Sequence, residues 1–186
     1  MAAVVALTIV IHLTNIAGVP ATVMRDAQQQ VIEMFRDAGV DVRWSADGCS
    51  RRDAGAVRLT LLPYETGALQ RDHRAILGAA MPSSDGIGTA WVFYNRVERE
   101  ADRHGVAIAP VLASAIAHEI GHLLQGMPAH SQRGLMRAAW SHADYIGAAS
   151  GHLRFTPADI APVSLTSAIA RDGRAGLDLS FPPWRD

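Results

Sequence analysis

An otherwise apolar segment, residues 111–124, carries two imidazoles and a carboxylate within five positions: His118-Glu119-Ile120-Gly121-His122. Polar groups inside such an Ala-, Leu- and Ile-rich run are costly to bury without partners, so the fold has to bring partners to them. The run is helix-compatible throughout. Pro110 suits a first helical turn, and Gly126 tolerates the left-handed backbone at which helices commonly end. On that helix, residues four apart stand on one face, so His118 and His122 can grip one ion together. Glu119 points elsewhere, placed to take a proton rather than to bind the ion. The turn at Gly126 can return His130 to the same ion as a third ligand, leaving a fourth position for water.

The full pattern reads HExxHxxxGxxxH, followed by Gly134-Leu135-Met136. It resembles the metzincin-like zincins, which carry HExxHxxGxxH and then a methionine-containing turn. Here the glycine stands one residue later and the third histidine two residues later. The text HEIGHLL-x-G-x-x-x-HS-x-x-G-[IL]-M-R-A is also similar to that of a family of small bacterial proteins expected to be metzincin-type zinc proteases. The likeness runs from the first strand to about Phe155. It implies that His118, His122 and His130 hold Zn2+, that Glu119 is the general base, and that Met136 is the Met-turn residue. It also implies a peptide or protein substrate, whose backbone pairs with an edge strand at residues 76–81.

With 186 residues the chain fits one domain with a sizeable core. An N-terminal part (residues 1–126), a smaller C-terminal part (residues 127–170) and an irregular tail (residues 171–186) are expected. A formal charge of -1 gives no basic excess for nucleic acid, and no apolar run approaches a membrane span. A single cysteine, Cys49, excludes an internal disulfide and a Cys-rich zinc site. A monomer is the expected state. Residues 1–11 mimic the hydrophobic region of a signal peptide, but no Lys or Arg precedes them. The resemblance implies that an export signal often stands ahead of the first strand, which leaves location open.

Along the chain, residues 3–13 read as a strand. A helix is expected over 20–38, where Val23, Met24, Ala27, Val31, Met34, Phe35 and Ala38 recur at three- and four-residue steps. Strands are expected at 40–44 and 56–62, the first of them joined to the opening strand by a right-handed crossover. Residues 75–81, with Gly78 inside, read as an edge strand, 82–89 as a long turn and 90–97 as a strong strand. A charged connector, residues 98–104, places His104 in solvent, and His73 is expected at the surface. Residues 138–151 read as a short helix capped by Ser141. Thr156 and Pro157 open another helix, which Pro162 interrupts. The fold class is α+β: a mixed, mostly parallel twisted sheet backed by the helix at 20–38 and the histidine-bearing helix.

Three functions follow. The resemblance favours a zinc-dependent peptide hydrolase. HEIGHLL is also similar to regulatory peptidases that cleave a single repressor partner, which take their third ligand from farther along the chain. A non-catalytic zinc site would be closed by four protein ligands. Should His130 not ligate, His142, Asp144 and His152 are the reserves, and Tyr145 is a candidate donor to an oxyanion.

Overall fold

A computed structural model describes residues 7–45, 56–64, 77–83, 86–126 and 130–159. The elements in order are β1 (Leu7–Asn15), α1 (Ala21–Asp37), β2 (Val40–Ser45), β3 (Ala56–Leu62), β4 (Gly78–Ser83), β5 (Gly86–Phe93), α2 (Tyr94–His104), α3 (Ile108–Gln125) and α4 (His142–Ala149). The strands form one sheet in the order β2-β1-β3-β5-β4. β1 pairs in parallel with β2 and β3, and β3 with β5, while β4 closes one edge antiparallel to β5. The expected α+β architecture with a mixed, mostly parallel sheet is what the chain adopts.

Period-two alternation puts Ile9 and Ile11 of β1, Val40 and Val42 of β2, and Leu59 and Leu61 of β3 into the core. α1 buries Met24, Ala27, Val31, Met34 and Phe35, as its three- and four-residue spacing requires, and packs on β2 and α3. α3 is apolar nearly all round and is correspondingly buried, between α1, α2, β4 and β5. It ends at Gly126, whose φ of 65° is the left-handed cap expected there.

Several boundaries differ from the expectations. The strong strand expected at 90–97 stops at Phe93, and the supposed connector is helical from Tyr94 to His104. Its charges made it look like a loop, yet they are spaced for a helix. Glu100 pairs with Arg103 and His104 three and four residues on, while Tyr94, Val97 and Ala101 face the core. His104 is correspondingly not out in solvent: its side chain is 16% exposed. The long turn expected at 82–89 is mostly taken up by the β4–β5 pairing, with an irregularity at Pro82/Ser83. α4 begins at His142, later than expected, because Ser141 and Asp144 form a reciprocal capping box there. Cys49, His73, Ile76 and Pro162 lie outside the described residues, as do residues 3–6 of the expected first strand.

Candidate metal centre

α3 presents His118 and His122 one turn apart, their Nε2 atoms 3.0 Å from each other. The Nδ1 of His118 is 2.8 Å from the Leu135 carbonyl. A carbonyl only accepts, so the proton of neutral His118 sits on Nδ1 and the Nε2 lone pair faces the cluster. His130, on the far side of the turn and exposed, brings its ring to 4.8 Å from that of His122. One ligand atom from each of the three lies within 4.8 Å of the others, close enough to hold a metal ion.

The donor set fits a divalent ion. Metal–nitrogen bonds of about 2.0–2.1 Å in a tetrahedron place two nitrogens roughly 3.3 Å apart, near the 3.0 Å between His118 and His122. Burial lowers the His118 pKa to about 4, against a backbone hydrogen bond that works the other way, so its imidazole is neutral at ordinary pH. Burial lowers His130 in the same direction. Among the described residues no fourth His, Cys, Asp or Glu joins the group.

Glu119 is 6% exposed, and burial pushes its carboxyl up to about 8. Its side chain lies against the edge strand: a Cβ added at Gly78 would stand 2.7 Å from Glu119 Cγ and 2.5 Å from the Trp91 carbonyl oxygen. The glycine inside β4 is therefore there for the close approach of this carboxylate as well as for its edge position. Gly78→Ala is expected to destabilise the fold by about 1–3 kcal/mol, since backbone must shift. Urea unfolding measures it, and an unchanged midpoint would show that the strand edge yields freely.

In the metal-free chain the Glu119 and His118 shifts act oppositely on stability. Between roughly pH 4.5 and 6.5 the folded state holds an extra proton at Glu119 while the unfolded state holds one at His118, and the two nearly cancel. Above pH 6.5 only the Glu119 term remains, and stability is lost as pH rises toward 8. The expected loss is about 2 kcal/mol over that window in zinc-stripped protein. Glu119→Gln is expected to flatten the profile, and a variant profile as steep as the wild type would contradict the assignment.

Beneath the histidines, Met136 is fully buried against α3. A Cβ at Gly121 would lie 2.6 Å from the Met136 sulfur, so the helix and the segment after His130 touch at the one helical position without a side chain. The Leu135 carbonyl that takes His118 also accepts the Trp140 indole N–H at 3.2 Å, and the Trp140 ring stands edge-on to His118.

Two residues with no site role expected from the sequence matter here. Ser131, directly after His130, donates its hydroxyl to the buried carboxylate of Asp159 in a short contact. The other carboxylate oxygen of Asp159 accepts from the Thr156 N–H at 2.6 Å and its hydroxyl at 2.8 Å, and the Asp159 carbonyl accepts from Gln125 at 3.2 Å. Asp159 thus ties the end of α3, the His130 segment and the Thr156 turn together. The Thr156-x-x-Asp159 spacing is a capping-box signal that could have revealed it. Asp159→Ala is expected to weaken metal affinity about 10–100-fold, as loss of a ligand's supporting contacts does. Competition with a chromophoric chelator measures this, and unchanged affinity would show that His130 is placed without the strap.

The reserves stand elsewhere. Asp144 is bound to Arg137 at 2.7 Å and to its own cap, and His152 rests on Ser150 at 2.9 Å. His142 pairs with His104. Tyr145 is buried and bonded to Glu100, with its pKa raised first by burial, so its hydroxyl serves α2 rather than the three histidines.

Compared with known proteins, the chain matches no family model and no curated protein.

Proposed function

We propose that the chain is a zinc-dependent metallopeptidase of the metzincin-like zincin type. The observation that carries this reading is the three-histidine cluster with a buried carboxyl beside it and, among the described residues, no fourth protein ligand. A structural zinc site is ordinarily closed by four protein ligands, whereas three protein ligands and an open position are the arrangement of catalytic zinc. Zinc supplies an electrophile for the scissile carbonyl and brings the acidity of water close to neutrality.

The chain's own residues divide the remaining work. His122, His130 and His118, the last steadied by the Leu135 carbonyl, would hold the ion. Glu119 takes the proton of the attacking water and returns it to the leaving amine. Burial raises its carboxyl pKa in the metal-free chain, and the positive charge of a bound ion would work against that shift and favour the carboxylate a base needs. Met136 supports the floor beneath α3. The β4 edge next to Glu119 is open on one side in the described sheet, and an extended peptide backbone can pair with such an edge.

The test is digestion of casein or gelatin by purified protein, with and without a chelator, followed by zinc restoration. Turnover that stops with the chelator and returns with zinc is expected. Metal-loaded protein that cleaves neither these substrates nor any peptide in a broad library would contradict the proposal. Cleavage of a single library sequence would identify the narrow-specificity form of the same enzyme.

A further inference from the structure

We propose that His104 and His142 form a second divalent transition-metal site, separate from the three-histidine cluster and joining α2 to α4. Their Nδ1 atoms face each other at 2.9 Å across the two helices, which lie 38 residues apart in sequence. Two features beyond this approach point to a ligating pair. The Glu100 carboxylate stands 3.5 Å from Nε2 of His104 and is itself buried at 6% exposure. A carboxylate on that side favours the proton on Nε2 and leaves the Nδ1 lone pair toward His142, the kind of support that ligating histidines ordinarily have. Arg103 balances the Glu100 charge at 2.9 Å. The His104 ring is also stacked on Tyr145, with centroids 4.1 Å apart and planes 12° from parallel, so its direction is set by packing.

His142 completes the pair from the exposed first position of α4. A proton on its Nε2 can remain with solvent while Nδ1 binds. Two bonds of about 2.0–2.1 Å spanning this gap enclose an angle of roughly 90°. Imidazole nitrogens suit Zn2+, Cu2+ and Ni2+ alike, with solvent filling the remaining positions, and Ni2+ as the probe is distinguishable from zinc carried by the first site. The site also lies close to the first one in the chain. Trp140, two residues before His142, rests on both His118 and Tyr145.

The experiment is calorimetric titration of Ni2+ into protein already carrying one equivalent of zinc, for wild type, His142→Ala and Glu100→Gln. The same titration of a His118→Ala/His122→Ala variant without zinc separates this site from the first. One nickel per chain is expected in wild type and in the double variant. His142→Ala is expected to lose at least tenfold in affinity, and Glu100→Gln about 10–100-fold. His142 is exposed, so its truncation tests the site even if the Glu100 substitution disturbs folding. No nickel bound by the zinc-loaded wild type, or undiminished binding by His142→Ala, would overturn the proposal and leave the pair a simple hydrogen bond.

Discussion

Glu119→Gln is expected to lower peptide hydrolysis about 10²–10⁴-fold, the contribution typical of a positioned general acid–base group, while zinc stays bound. The amide has nearly the shape of the carboxyl it replaces but cannot take a proton. Its near-identical volume keeps the packing around a side chain that is 6% exposed. The variant should fold and load metal normally and fail at chemistry alone. Zinc content and peptide turnover measured on the same preparation separate these outcomes. Full activity in a zinc-loaded variant would remove Glu119 from the mechanism.

His118→Ala is expected to have the larger effect on the metal itself. Apparent binding free energies of roughly 10–16 kcal/mol for four-ligand zinc sites put each ligand at about 3 kcal/mol, or some two orders of magnitude in affinity. Removing His118 also takes one of two side-chain partners from the Leu135 carbonyl, at 2.8 Å, and leaves it the Trp140 indole at 3.2 Å. Equilibrium competition against a chelator of known affinity reads the loss. An affinity within a few-fold of wild type would mean that the ion is held elsewhere.

Much of this arrangement was legible in the chain, and the reasons differ by element. α1 and α3 were visible because apolar periodicity, Pro110 and Gly126 are local signals, and local signals survive without tertiary knowledge. The closeness of His118 and His122 follows from the helical repeat alone. α2 was hidden because its polar residues belong to ion pairs that only a helix brings together, around a core-facing Tyr94, Val97 and Ala101. Ser131 and Asp159 were hidden for another reason. They are 28 residues apart, and nothing in either neighbourhood announces the partner. His142 shows the limit from the opposite side. As a histidine shortly after the motif it was a fair reserve ligand, yet α4 turns it toward His104. The role of Gly78 was half legible, since a strand glycine signals a close approach but not which group approaches.

His118, His122 and His130 are together expected to hold one zinc ion despite the lengthened spacing. The most direct measurement is the metal content of purified wild type and His130→Ala by elemental analysis. Close to one zinc per wild-type chain is expected, and its loss or marked weakening in the variant. Zinc retained unchanged by His130→Ala, or no metal bound by the wild type even after incubation with zinc, would contradict it.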